Sequence, residues 1–524
     1  MLLRTAAGSV AGVIVLAVLG AATGPSWNPA PLTDVPAVES ASTAITVPPA
    51  ATSAPTTGAA GEGAPGDGSA APTDVAGAAP VGTYEVETHV VDVQLDGAVV
   101  QAQITEPVGA GEDLDGLVFV HGAGTGKFTR AFRTQAHDLA TAGIVTLVPD
   151  KRLDTYTTVS RDYPAMAADY HRSVEVLRRW PGVDPGRVGV YGESEGAWVV
   201  PVMTADHPGI AFSVLVSAPV VPPRQQAAFA ADSYLRNTDV PHGVFRAIPR
   251  AVGLEFPGET FDYADFDAAP YQRRTTQPVL MAYGTLDSSM PIVQGPQQMR
   301  ADLAVAGNDA LTVRYYAGAD HGIRIDRTVA ADFVRDLADW IRGLPATGTA
   351  SPRIAGDQPH QTFRADPLPT PRWFGTVDGV LAVVMTGAGG VVAGGLALVG
   401  VRLLRRRGWG LAPGLTVPLL GLAATTVATV AALVGYLVAV ARLALDYERN
   451  AWVVQGGWLG VRLLGLAAVV VAAVLATRVR DAHRDPLVRV GRGALAWIGF
   501  GALAGGSLVL LVTLAYWGVY QLGI

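Results

Sequence analysis

The chain has 524 residues, half of them hydrophobic and only 16% charged, with a net charge of −7. This length exceeds one ordinary domain of about 100–200 residues, the apolar balance calls for a membrane part, and the charge offers no basic footprint for nucleic acid. Cysteine is absent, which excludes a thiol nucleophile, a disulfide framework and a Cys-ligated metal site.

The first four residues, ending in Arg4, make a short positive start, and residues 5–22 carry no charge. Residues 1–24 therefore read either as a cleavable signal peptide, with small residues at Gly20, Ala21 and Ala22, or as a retained signal anchor. Both readings export the chain beyond residue 24. Residues 25–82 are rich in Ala, Pro, Thr, Gly and Ser and have no apolar periodicity, which predicts a disordered linker.

From Tyr84 the texture changes. Residues 84–94 and 98–106 alternate as strands do, around a turn at Asp96-Gly97. Short apolar runs at 117–120, 144–148, 188–191, 212–216, 279–283 and 311–316 read as buried strands. Helical spacing lies between them; Met166, Tyr170, Val174 and Leu177 share one face. The alternation predicts an α/β domain over residues 83–344, with a mostly parallel sheet covered on both sides. The long connection 222–277 predicts a cap over the active site, and residues 345–372 predict a second linker.

Residues 373–524 read as an all-α transmembrane domain. Apolar runs at 374–401, 415–441, 459–476 and 494–520 are each near the roughly 20 residues that cross a bilayer. Arg402, Arg405, Arg406 and Arg407 follow the first run, and Arg478, Arg480, Arg484, Arg489 and Arg492 join the third to the fourth. In the remaining loop, Asp446 and Glu448 offset Arg442 and Arg449. Both Arg-rich loops therefore read as cytoplasmic, and the α/β domain as extracellular. Trp373, Trp452, Trp458, Trp517 and Tyr520 would lie near the outer interface. No run holds an ionisable residue deep in its apolar core, which favours anchoring and partner contact over transport.

The chemistry centres on Gly192-Glu193-Ser194-Glu195-Gly196, between a strand and a helix-compatible stretch. A GxSxG at such a turn marks Ser194 as a nucleophile, because a strained serine needs small residues on either side. His321 follows the last of the apolar strands and is the candidate base, and Asp287 follows the strand before it and is the candidate orienter. Asp320 is a rival for the orienting role by adjacency. His121-Gly122-Ala123-Gly124 follows strand 117–120 and reads as an oxyanion loop, with donors from the backbone N–H groups of Glu195 and of Ala123, or alternatively Gly122. Glu195 reads either as the partner of Lys151 or Arg152 or as one of two solvated carboxylates.

With His121-Gly122-Ala123-Gly124, Asp150-Lys151-Arg152, the Gly192–Gly196 elbow, Asp287 and His321, the region from about residue 84 to 344 resembles the α/β-hydrolase superfamily. It is similar to bacterial esterases with a Gly-x-Ser-Glu-Gly elbow, and to dienelactone-hydrolase-like and prolyl-oligopeptidase-like domains. Glu193 stands where many such esterases have His. The resemblance implies a Ser194-His321-Asp287 serine hydrolase that cleaves carboxylic esters through an acyl-enzyme, without cofactor or metal. The expected partners are a small-molecule or lipid acyl ester and the bilayer; the protein partners of the transmembrane region are left open. An envelope acyltransferase or a serine peptidase would use the same triad, and an inactive receptor or scaffold is the reading from another class.

Overall fold

A computed structural model of the chain describes residues 2–46, 79–238, 243–258, 260–372, 374–404, 410–445 and 448–521. The chain forms two compact units, one of Ala30–Gln226 and Phe261–Ala365, the other of Met1–Pro29, Ala227–Thr260 and Asp366–Ile524.

The first unit is built on a nine-stranded sheet. Its strands are β1 (Val86–Leu95), β2 (Ala98–Pro107), β3 (Leu114–Val120), β4 (Ile144–Pro149), β5 (Val183–Glu193), β6 (Ser213–Val216), β7 (Val279–Gly284), β8 (Leu311–Tyr316) and β9 (Ile354–Gly356). They lie in the order β1-β2-β4-β3-β5-β6-β7-β8-β9. Pairing is antiparallel from β1 to β2 and from β2 to β4, and parallel elsewhere. The parallel strands β4, β6, β7 and β8 are buried along their whole length, including the polar Thr146, Ser213, Thr312 and Arg314 among their apolar residues. Helices cover both faces. Tyr163–Arg178 buries Met166, Tyr170, Val174 and Leu177 and is capped by Asp162, whose carboxylate accepts the Ala165 N–H at 2.9 Å. This is the α/β-hydrolase arrangement that the sequence led us to expect.

Both expected linkers are partly ordered on this unit. Pro31 bridges Phe363, Ser40 bridges Ala355, and Leu32 is buried. Residues 354–356 form β9, parallel to β8, and the Gln361 side chain accepts the N–H groups of Val293 and Gln294. Strand pairing, side-chain-to-backbone bonds and a few scattered apolar residues, Leu32, Val38 and Ile354, hold these segments, so no periodic pattern marked them in the sequence. Most of the first linker, residues 47–78, lies outside the described residues.

The connection 222–277 divides. Residues 261–277 stay with the sheet, where Ala268 joins the core and Tyr263 and Phe266 pack against it. Residues 227–260 belong to the other unit: Ala228, Leu235, Val244 and Ile248 share a buried core with Leu415, Tyr436, Trp458 and Val461. This stretch, expected as part of a cap, places its apolar side chains in the core of the helical unit.

Among the described residues of the second unit, five helices are long and apolar enough to cross a membrane: Leu2–Thr23, Val377–Leu403, Thr416–Ala444, Trp452–Arg484 and Ala494–Tyr516. Small residues bring them close. A Cβ on Gly394 would lie 2.6 Å from the Leu503 nitrogen, and one on Gly506 would lie 2.5 Å from the Gly387 carbonyl. Gly20 of the first helix sits against the Ala515 carbonyl of the last. Of the expected interfacial aromatics, Trp458 and Tyr520 are buried within the unit and Trp452 is exposed. Trp373 lies outside the described residues, as do Arg405–Arg407 and Asp446. Arg462 lies further inside a span than the sequence suggested, and donates to the Gln521 carbonyl at 2.7 Å.

Arg250 is 1% exposed, a cation without a carboxylate partner among the described residues. It donates to the Tyr516 carbonyl and, at 2.9 Å, to the Gly20 carbonyl. Both carbonyls lie in the last turn of a helix, where backbone acceptors are unfilled and the helix end carries partial negative charge. Arg250 thus pins residues 227–260 to two helix ends. Hydrogen bonds from a charged donor contribute about 1.5–3 kcal/mol each. Arg250→Ala is expected to cost about 3 kcal/mol or more, read as a lower Tm of the detergent-solubilised chain.

Candidate active site

β5 ends at Glu193 and the next helix begins at Gly196. Between them Ser194 takes φ +57°, in the left-handed region that costs a non-glycine residue about 1–3 kcal/mol. The flanking glycines follow from the tightness of this turn. A Cβ on Gly192 would lie 2.6 Å from the Gly196 carbonyl, and one on Gly196 would lie 2.5 Å from the Val120 carbonyl. The Ser194 N–H donates to the Val216 carbonyl at 2.9 Å, which holds the turn to β6.

His321, after β8, places Nδ1 2.9 Å from Oδ2 of Asp287, after β7. The Asp287 side chain is buried, and its Oδ1 accepts the N–H of Ser289 at 3.1 Å and its hydroxyl at 2.7 Å. Of the two carboxylates considered for this histidine, the ring pairs with Asp287; the Asp320 N–H donates to the Arg324 carbonyl. Burial alone would raise the Asp287 carboxyl, but His321 and Ser289 hold it below the usual carboxylate range. Burial alone would lower His321, but the Asp287 charge and hydrogen bond, with help from Glu193, carry it above 6.5. The loop is fixed beside the elbow: the Gly322 N–H donates to Ser217 Oγ at 3.0 Å, one residue beyond Val216.

The loop after β3 lies against the serine. A Cβ on Gly122 would stand 3.4 Å from the Ser194 Cβ and 3.2 Å from the Glu193 carbonyl. His121 is buried, with Nε2 2.6 Å from the Pro149 carbonyl and Nδ1 3.1 Å from Thr125 Oγ1. Burial lowers its pKa to about 4, so it is neutral and braces the loop from behind. Ala123 and Gly124 are exposed. Among the described residues, the N–H groups of Ala123 and Glu195 serve no acceptor within the protein. Such donors can receive an oxygen that develops negative charge.

Of the two cations that the sequence offers Glu195, Lys151 pairs with it, and Arg152 binds Asp154 instead. Both side chains of the Lys151–Glu195 pair are 1% exposed. Glu195 also accepts from Tyr156 at 2.8 Å and Arg161 at 2.5 Å, and Glu193 from Arg324 at 3.2 Å and Tyr191 at 3.2 Å. Tyr156, Arg161, Arg324 and Ser289 were not legible as site residues, because loops and, for Arg324, a two-residue strand carry them, none with a regular period. Elsewhere, Glu87, His89 and Glu106 gather within 4.8 Å of one another on the β1–β2 ribbon. His89 stands 2.8 Å from Glu106, and Trp180 donates to the same carboxylate, so this cluster is already internally paired.

Serine hydrolases of the α/β-hydrolase class share this sheet order and this elbow, and the chain is a serine hydrolase. More particularly, residues 130–344 match the prolyl oligopeptidase family. Among solved structures, an esterase from Pyrobaculum calidifontis is similar at 17% identity and a TM-score of 0.37, covering 50% of this chain and 86% of that one. A dienelactone hydrolase from Anabaena variabilis is similar at 18% identity and a TM-score of 0.34, covering 48% and 95%. A cold-adapted esterase from an Arctic intertidal metagenomic library is similar at 17% identity and a TM-score of 0.32, covering 48% and 93%. No curated protein matches the chain.

A histidine must be neutral to take a proton, so a raised His321 pKa puts the acid limb of kcat/KM above pH 6.5. Removing the Asp287 charge removes the upward pull on the ring. Asp287→Asn is expected to move that limb to lower pH and to cut kcat on the order of 10⁴-fold, both read from a pH–rate profile on an activated ester.

Proposed function

We propose that the chain is a membrane-anchored, extracytoplasmic hydrolase of carboxylic esters. Ser194 is the nucleophile, His321 the general base, Asp287 its orienter, and the N–H groups of Ala123 and Glu195 the oxyanion donors. The observation that carries this reading is the 2.9 Å His321–Asp287 pair on a loop fixed beside a serine at φ +57°. Ser194 attacks the acyl carbonyl as its proton passes to His321, the alkoxide oxygen enters the donor pair, and the protonated ring delivers the proton to the leaving alcohol. Water then repeats the cycle on the acyl-enzyme, with His321 again as base. Gly122 and Gly124 give the substrate oxygen room to approach, and His121, Gly192 and Gly196 support the two turns.

The charged groups beside Ser194 are engaged with one another: Glu195 with Lys151 and Arg161, Glu193 with Arg324. This supports a neutral acyl ester over a substrate held by a charged terminus. The match of residues 130–344 to the prolyl oligopeptidase family favours a peptidase as the second reading. A panel of p-nitrophenyl acyl esters of varied chain length against peptidyl p-nitroanilides decides between them. Ester turnover that Ser194→Ala abolishes, with amide turnover at least 100-fold slower, is the expected result; faster amide cleavage would establish the peptidase.

Packing of the helix Leu2–Thr23 within the helical unit supports a retained anchor with its N-terminus inside. Arg4 lies 3.6 Å from Asp481 in the Arg-rich stretch read as cytoplasmic, while Gly20, at the far end, shares Arg250 with Tyr516. The cysteine-free chain lends itself to labelling. Asp309→Cys, on a side chain 89% exposed, should react with a membrane-impermeant maleimide on intact cells. Leu3→Cys should react only after permeabilisation; a mature chain that lacks this site would show cleavage and overturn the anchor.

A further inference from the structure

The two glutamates that flank Ser194 take no part in acyl attack or proton transfer, yet both are buried and each leads to a different loop of the site. Glu195 Oε2 accepts from Lys151 Nζ at 3.0 Å, and the same Nζ donates to the Gly122 carbonyl at 2.7 Å. Glu193 Oε1 accepts from Arg324 at 3.2 Å, and the same guanidinium donates to the His321 carbonyl at 2.9 Å.

The first link has a geometric consequence. A trans peptide is planar, with its C=O and the following N–H pointing in opposite directions. Drawing the Gly122 carbonyl toward buried Lys151 therefore turns the Ala123 N–H away from it. Rotation of that one peptide by half a turn would replace the donor with a carbonyl oxygen and repel an oxyanion. A glycine at 122 has little of its own to resist such rotation, so an external hold is needed. Lys151 supplies it, and burial of the Lys151 side chain at 1% exposure leaves no water to compete.

Glu195 fixes Lys151 in turn and is itself fixed by Tyr156 and Arg161. Two cations face its single charge, and Glu195 stands at the N-terminus of the helix Gly196–Asp206, whose end adds partial positive charge. The cage thus leaves a surplus of positive charge next to the place where the alkoxide forms. The second link works on the base: Arg324 ties the main chain of His321 to the residue just before Ser194, setting the spacing of base and nucleophile.

We propose that Glu195 and Glu193 are positioning residues, Glu195 aiming the Ala123 N–H through Lys151 and Glu193 holding the His321 loop through Arg324. This rests on the assignment of Ser194 as nucleophile and Ala123 as oxyanion donor. Losing an oxyanion donor costs about 10²–10³-fold in kcat, and misplacing a reacting group by 1 Å costs about 10²-fold.

The test uses the full chain in detergent and the variants Glu195→Gln, Lys151→Met and Glu193→Gln. A fluorophosphonate probe on wild type, with Ser194→Ala as control, first reports on the nucleophile assignment by itself. For Glu195→Gln and Lys151→Met, kcat should fall about 10–100-fold with KM within threefold. Affinity for a trifluoromethyl ketone, whose adduct bears an oxyanion, should fall in parallel, and the acid limb of the pH profile should stay in place. For Glu193→Gln, kcat should fall while that limb moves to lower pH, because Glu193 contributes to the raised basicity of His321. Should Lys151→Met fail to fold, the two Gln variants, which keep shape, decide the matter. Variants with wild-type kcat and ketone affinity would overturn the inference, as would losses matched by the fraction of unfolded protein.

Discussion

The site depends on one strained turn. At φ +57° Ser194 is held where a non-glycine residue is disfavoured, and it stays there because the elbow is closed on every side. Gly192 and Gly196 let the chain pass within van der Waals contact of itself and of Val120, and the Val216 carbonyl holds the Ser194 N–H. The strain is local, whereas the restraint comes from three neighbouring strands. Parallel strands whose ends gather at one edge of a sheet can supply that restraint, since each brings its following loop to the same place. The loops after β3, β5, β7 and β8 carry Gly122, Ser194, Asp287 and His321 respectively.

The helical unit solves a different problem with the same economy of contacts. Apolar helices in a bilayer gain little from hydrophobic burial against each other, so small residues and main-chain bonds set their packing. Gly387, Gly394 and Gly506 allow backbone approach, and Arg250 fills carbonyls at two helix ends. Two helix C-termini, each worth about half a negative charge, answer one buried guanidinium. Residues 227–260 thus join the helical unit through a cation whose partners are peptide dipoles.

How far each part was legible in the sequence depends on the kind of constraint acting there. The elbow was legible because sterics force glycine on both sides of Ser194, and the His321–Asp287 pair because strand order brings the loops after β7 and β8 together. The Lys151–Glu195 pair was half legible: adjacent strand ends suggested a cation, but Lys151 and Arg152 were indistinguishable until register pointed one inward and the other toward Asp154. The allegiance of residues 227–260 was not legible. Their scattered aromatic and charged residues suit a cap or a membrane-facing insertion equally, and only the burial of Leu235, Val244 and Ile248 separates the two. β9 escaped notice because three residues held by pairing to β8 leave no periodic trace.

The charges around Ser194 form a closed set. Glu193, Glu195 and Asp287 face Arg324, Lys151, Arg161 and the imidazole of His321, so that with the ring neutral the cations and carboxylates cancel. With Ser194 as nucleophile, proton transfer to His321 creates one positive charge at the same moment that the substrate oxygen becomes negative. The His321 ring is paired with Asp287, and Glu195, whose N–H is the proposed oxyanion donor, is paired with Lys151 and Arg161. Each new charge is met by a fixed group of opposite sign, and none of these groups has to move. Reorganisation of dipoles during the step is the main cost that water imposes on such a reaction, and a preset array of this kind avoids it. On the proposed roles, the buried carboxylates beside Ser194 are the frame that sets the field at the reacting oxygen.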